Sequence, residues 1–222
     1  MAEKRLLVLA SGTAMGGGSG FENLVRKQAD FDYKVITVAS NHGQGGVRER
    51  ADRLKIPFLQ AEGPWTAELY QWLVHEADAH FVACSGWLKP VCGLDPSTTF
   101  NIHPGPLPRF GGKGMYGHHV HEAVLAAHAR GELTHTAICM HFVTDFERDG
   151  DYDRGPVFFK LVIPILPDDD ADRLAYRVNA LEHVWQPDIT NLVVTGQIRW
   201  SGIPGDPVIF PPGYARVQRI CC

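Results

Sequence analysis

The stretch RLLVLASGTAMGGGSGFENLVRKQ, Arg5 to Gln28, sets the fold. Arg5 to Ala10 is a short, nearly continuous apolar run, the composition of a strand buried on both faces. It stops at a glycine-rich segment, Gly12 to Gly20, after which FENLVRKQ has helical spacing. Strand, loop and helix then recur. YKVITVAS (Tyr33 to Ser40) is strand-like, NHGQGG is a turn, VRERADRL is rich in helix formers, and IPFL is a short extended segment. A third unit has Thr66 as N-cap of AELYQWLVHEA and HFVACS (His80 to Ser85) as a buried strand. This alternation implies parallel βαβ units, so the expected fold is α/β: a doubly wound, mostly parallel sheet with helices on both faces, Rossmann-like in class.

Beyond it come Thr98 to Ile102, a Pro/Gly-rich loop, a helix near Val120 to His128, and two β-rich stretches, Thr136 to Thr144 and Val157 to Pro164. A last helix is expected from about Asp170 to Val194, its acidic start suited to a helix N-terminus. Residues 1–222 read as a single domain. Its halves are 1–100, the phosphate or nucleotide side, and 101–200, the catalytic side; the tail 201–222 holds too much Gly and Pro for a stable helix.

With 222 residues and 45% apolar content the chain can bury a full core. A formal charge of −4 gives no electrostatic reason to expect nucleic acid or an anionic membrane. The five cysteines include adjacent Cys221 and Cys222, and none stands in a Cys-x-x-Cys spacing. They read as reduced thiols of a cytoplasmic protein. No apolar run approaches the roughly 20 residues of a membrane span. Oligomeric state is not legible.

Open parallel sheets bind ligands beyond the carboxyl ends of their strands, where Ser11 to Gly20, Gly86 to Lys89 and Asn101 to His103 fall. SGTAMGGGSGFENL offers backbone N–H groups and a helix N-terminus suited to phosphate. It lacks the Lys-Ser/Thr ending of a P-loop. No acidic residue ends the second strand, which disfavours a nicotinamide cofactor. In FNIHPGPLPRFGGKG, Asn101 and His103 stand two residues apart at a strand end and project to one side. An amide donor beside an imidazole suits acyl transfer: one steadies a developing oxyanion while the other moves a proton. His118, His119 and His121 invite a metal reading, but no cysteine or carboxylate completes a familiar ligand spacing, and no metal is expected. They would border the helix after GGKGMYG, one of them near the substrate. His141 begins MHFVTD's strand end, either lining the site or serving as a buried, hydrogen-bonded histidine.

NIHPGPLPRFGGKG resembles the Asn-x-His-Pro-x-x-Leu-Pro signature of the 10-formyltetrahydrofolate-dependent formyltransferases. SGTAMGGGSGFENL, SNHGQGGVRERADRLKIPF, MHFVTD with DRGPVFF, and RVNALEHVWQP are similar to further segments of that family, in order, from about Leu6 to Trp200. The nearest branch formylates glycinamide ribonucleotide.

The resemblance implies 10-formyltetrahydrofolate as cosubstrate and glycinamide ribonucleotide as acceptor. Asn101 would bind the formyl oxygen, His103 would polarise it and move protons, and Asp153 would orient His103. Gly18, Ser19 and Gly20 match the phosphate positions, although Gly20 replaces the family's usual asparagine. Glu182 matches a glutamate that binds the ribonucleotide, with an exposed helix carboxylate as the alternative. Trp87, Leu88, Lys89, Pro90 and Val91 match the wall of the pterin pocket, and Phe142, Val143, Thr144 and Asp145 match the start of the loop that reads the pterin edge. The interval from Asp145 to Asp153 is long for the family and also holds Asp149 and Asp151; Asp153 alone is followed by x-Gly-Pro. Residues Gly12 to Gly17 lengthen the phosphate loop. Formyltetrahydrofolate deformylases share the Asn/His/Asp centre but usually add an N-terminal regulatory domain. Formyltransferases for sugar nucleotides or methionyl-tRNA normally add a C-terminal domain, and neither addition is expected here. A folate- or nucleotide-binding protein without the chemistry is the remaining alternative.

Overall fold

The computed structural model describes residues 3–145 and 152–220. Its framework is an eight-stranded sheet in the order β3-β2-β1-β4-β5-β6-β7-β8. The strands are β1 (Lys4–Leu9), β2 (Tyr33–Ser40), β3 (Phe58–Gln60), β4 (Phe81–Ser85), β5 (Thr99–His103), β6 (His135–Phe142), β7 (Val157–Pro164) and β8 (Val217–Arg219). Strands β1 to β5 pair in parallel, as the alternating pattern requires, whereas β6 runs antiparallel to both β5 and β7. The helices are α1 (Ser19–Lys27), α2 (Gly46–Leu54), α3 (Ala67–Ala77), α4 (His118–Ala129) and α5 (Ala171–Val194). The expected fold class holds.

The two faces are covered unequally. On one, Phe21 and Leu24 of α1, Val120 and Val124 of α4, and Leu174 and Val178 of α5 close over Leu6, Val8, Ile138 and Met140. On the other, Tyr70 and Leu73 of α3 pack on Leu7, Leu9, Val82 and Cys84. Thr66 caps α3 by accepting from the Leu69 N–H at 3.4 Å, and Asp170 caps α5 by accepting from the Arg173 N–H at 2.8 Å.

Helix α5 continues through Pro187, which has no N–H to give to the carbonyl four residues back, that of His183. Asn23 of α1 supplies the missing donor, its Nδ2 lying 2.8 Å from His183 O. An interior proline is thus tolerated because a neighbouring helix completes its hydrogen bonding, and the same bond fixes α1 against α5.

The Gly/Pro-rich tail contributes a strand that composition did not suggest. β8 pairs in parallel with β7, Lys160 facing Val217. Tyr214 Oη donates to Phe158 O at 3.1 Å, and Trp200 buries its ring 5.7 Å from that of Phe142. Among the described residues no helix is long and apolar enough to cross a membrane.

Candidate active site

Asn101 and His103 end β5, between Cys84 of β4 and His141 of β6 in register with Asn101. Beside them lies Asp153, a non-glycine residue held at φ 59°, in the left-handed region. Its placement depends on Gly155: a Cβ there would stand 1.8 Å from Phe142 O, so only glycine lets the chain pass this close to β6. Asp149 and Asp151 lie outside the described residues.

The three groups form one network with a fourth. Asp153 Oδ2 is 3.6 Å from His103 Nδ1 and accepts from the Gly112 N–H at 3.1 Å. Its Oδ1 accepts from Asn101 Nδ2 at 3.2 Å and stands 3.3 Å from His141 Nε2. His103 Nε2 lies 2.6 Å from Phe110 O, which can only accept, so Nε2 carries a proton and Nδ1 is the nitrogen left to titrate, facing Asp153. By the same logic His141 Nδ1 donates to Phe142 O at 2.9 Å, and its Nε2, 3.1 Å from Asn101 Nδ2, accepts from that amide when the ring is neutral and donates to Asp153 Oδ1 when it is protonated. His141 is therefore both buried and part of the site.

Burial presses on each charge. Desolvation would raise Asp153, but hydrogen bonding from His141, the charges of His103 and His141, and the Gly112 N–H outweigh it and bring the carboxyl down to about 2. For His103 desolvation wins: its pKa is lowered, against the opposing pull of Asp153 and Phe110 O. The site thus holds an ionised carboxylate beside an imidazole that is neutral near pH 7. A proton arriving on Nδ1 creates an ion pair.

A cavity of about 600 Å³ opens over this network. Gly18, Ser19 and Gly20 line one end, where α1 begins after the left-handed Gly18 with no side chain capping it. The loop from Gly12 to Gly17 folds into a tight turn, Thr13 N donating to Gly16 O at 2.8 Å, with Met15 exposed at its tip. The turn is tied to α2 by the Gly46 N–H, 3.2 Å from Thr13 O, and the start of α1 faces the cavity. Trp87 to Val91 also line it. Trp87 Nε1 donates to Tyr70 Oη, which donates to Pro90 O at 2.6 Å, and the Leu88 N–H donates to Ser11 Oγ at 2.9 Å. Lys89 Nζ sits 5.6 Å from the centre of the Trp65 ring.

A model of the Formyl transferase family matches residues 4–190. The chain belongs to this family. It is 32% identical over 216 residues to the chloroplastic phosphoribosylglycinamide formyltransferase of Vigna unguiculata, covering 90% of this chain and 65% of that protein. It is 30% identical to the Arabidopsis thaliana protein of the same name, covering 90% and 70%. This chain thus spans about two thirds of these plant relatives. The crystal structure of phosphoribosylglycinamide formyltransferase from Anaplasma phagocytophilum shares the fold, with a TM-score of 0.78 at 23% identity over 98% of each chain.

Of the residues that resemble formyl transferase positions, the structure brings Asn101, His103, Asp153, Gly18 to Gly20, Glu182, Trp87 to Val91, Val143 and Thr144 to one cavity. Phe142 and Asp145 stand off its wall. The Phe142 ring is fully buried against Phe158 and Trp200, and Asp145 Oδ1 instead accepts from the Gly93 N–H at 2.7 Å. Glu182 is partly buried, not an exposed helix carboxylate, and burial pushes it up to about 7 against the Asn179 amide at 3.3 Å. Of His118, His119 and His121, the first and last reach the cavity, whereas His119 pairs with Glu122 outside it. Among the described residues no group of three or more His, Cys, Asp or Glu side chains could hold a metal ion.

Sequence reasoning missed Ser85, His183 and Gln186, which also line the cavity. Each is an ordinary residue in an ordinary helix or strand, and only the packing of α5 onto α1 and β4 brings them together.

Proposed function

We propose that this chain transfers the formyl group of 10-formyltetrahydrofolate to the amine of glycinamide ribonucleotide, a step of purine synthesis. The observation that carries the reading is the Asn101–His103–Asp153 network on the wall of a cavity that also holds two surfaces of different chemistry. One is a glycine loop and helix start suited to phosphate; the other is the stretch Trp87, Leu88 and Val91, suited to a flat heterocycle. The name shared by the plant relatives supports the same acceptor.

In this reading the acceptor phosphate lies on Gly18 to Gly20, Glu182 holds its sugar, and the pterin lies against Trp87 to Val91, Val143 and Thr144. The amine nitrogen attacks the formyl carbon, and the carbonyl electron pair moves onto oxygen. Asn101 donates to that oxyanion. As the side chains stand, both Asn101 amide hydrogens face acceptors, Asp153 Oδ1 and His141 Nε2, so one turns to the substrate. His103 Nδ1 takes the proton that the amine sheds, and the imidazolium, held by Asp153, steadies the oxyanion. Collapse breaks the bond from the formyl carbon to folate N10, which takes up the proton. The unpaired thiols Cys84, Cys92 and Cys139 suit the reducing cytoplasm.

Tetrahydrofolate release, followed spectrophotometrically with and without glycinamide ribonucleotide, tests the proposal. Release that requires the acceptor, and is lost in His103→Ala, supports it. Release without any amine would make the protein a deformylase. No release from a folded protein would exclude both.

A further inference from the structure

Gly20 lies inside α1 with no left-handed φ, so its backbone would accept any residue; what excludes a side chain is space. A Cβ on Gly20 would stand 2.2 Å from Ser85 Oγ and 3.3 Å from Gln186 Oε1. These two groups fill the volume that a residue-20 side chain would claim. Ser85 ends β4, paired with Ile102 between Asn101 and His103, and Gln186 follows Glu182 by one turn of α5. Both line the cavity, yet Ser85 is 6% exposed and Gln186 1%. Ser85 Oγ donates to Gln186 Oε1 at a long 3.4 Å.

Two polar side chains buried this far, joined by one weak bond and ending on a cavity wall, have hydrogen-bonding capacity directed at whatever enters. Both are uncharged, and each can donate and accept. Sugar hydroxyls have the same dual character, whereas a carboxylate or phosphate can only accept. Their place, between the phosphate loop and β5, is the middle of the path from phosphate to amine.

We propose that Ser85 and Gln186 form a specificity pair for the ribose of the acceptor, placing polar groups from β4 and α5 in the space that a residue-20 side chain would otherwise fill. The inference rests on the acceptor reading above and adds the residues that discriminate it.

The test uses Ser85→Ala and Gln186→Met in the full chain. Ribose 5-phosphate and glycinamide ribonucleotide are titrated calorimetrically, and KM is measured for acceptor and formyl folate separately. Each substitution should weaken the acceptor about tenfold, the effect of one lost hydrogen bond, and leave KM for formyl folate within about twofold. Unchanged melting temperatures separate this effect from unfolding. A reciprocal arm checks the geometry. Gly20→Asn should weaken the acceptor in the native background and be far better tolerated with Ser85→Ala, because removing Oγ leaves Ser85 Cβ at 3.6 Å as the nearest atom of that residue.

Unchanged acceptor binding in both variants, or an equal rise of both KM values, overturns the pair while leaving formyl transfer standing. If the protein transfers no formyl group but ribose 5-phosphate binding responds to both variants, the pair stands and the reaction falls. Failure of the native protein to bind either sugar phosphate overturns both.

Discussion

Asn23 Nδ2 donates to the carbonyl of His183 at 2.8 Å, across the junction of α1 and α5, in place of the backbone N–H that Pro187 lacks. On the cavity side of the same junction His183 Nε2 lies 3.2 Å from Ser19 Oγ, so a structural bond and a substrate-facing contact share one residue. Asn23→Leu should leave a carbonyl unpaired and cost about 1–3 kcal/mol of stability. Because α1 begins at the loop proposed to hold the acceptor phosphate, KM for the acceptor should also rise while KM for formyl folate holds. Denaturant melts and separate substrate titrations check both.

Asp153 couples two histidines and an asparagine, and the role proposed for it is electrostatic. Asp153→Asn keeps the shape but removes the charge that would hold a protonated His103, so kcat should fall by about 10²–10³ with little change in either KM. Steady-state kinetics decide; a loss confined to KM would assign Asp153 to binding instead.

His121 carries a pH liability. It is almost wholly buried, its Nδ1 has no hydrogen-bond partner among the described residues, and desolvation, with His118 and His103 adding to it, lowers its pKa from 6.5 to about 4. Between these values the unfolded chain binds the proton and the folded chain does not, so stability rises with pH across that window and falls as the medium is acidified through it. The loss amounts to about 3 kcal/mol at most. Thermal melts from pH 7 to 4 should show the decline, and His121→Leu should flatten it.

Glu182 titrates near the working pH. Raised to about 7 by burial, it is largely protonated at pH 6 and largely ionised at pH 8. If the ionised form accepts the sugar hydroxyls, acceptor affinity should increase as pH rises through 7, and Glu182→Gln should remove the increase. Calorimetric titration of glycinamide ribonucleotide at several pH values reads it directly.

The parallel half of the fold was legible because buried parallel strands are continuous apolar runs and their loops are glycine-rich: β1, β2 and β4 fall within a residue or so of RLLVLA, YKVITVAS and HFVACS. The Asn101–His103 pair was legible because both residues stand on one strand, where spacing fixes direction. Strand β8 was not, since three residues amid prolines carry no periodicity and gain their pairing from the edge that β7 offers. Phe142 shows the complementary difficulty: an aromatic at a strand end fits a ligand wall and a core equally well, and Trp200, distant in sequence, decides for the core. Ser85 and Gln186 were hidden because they are 101 residues apart and meet only where Gly20, having no side chain, leaves room for both.

The most direct test of the central claim follows the formyl carbon itself. The protein is incubated with 10-formyltetrahydrofolate carrying carbon-13 in the formyl group, together with glycinamide ribonucleotide, and the labelled products are identified by mass spectrometry. Label on the acceptor's amine, at a rate cut severely by His103→Ala, is the expected result. Label appearing as free formate at the same rate with or without the acceptor would contradict the account.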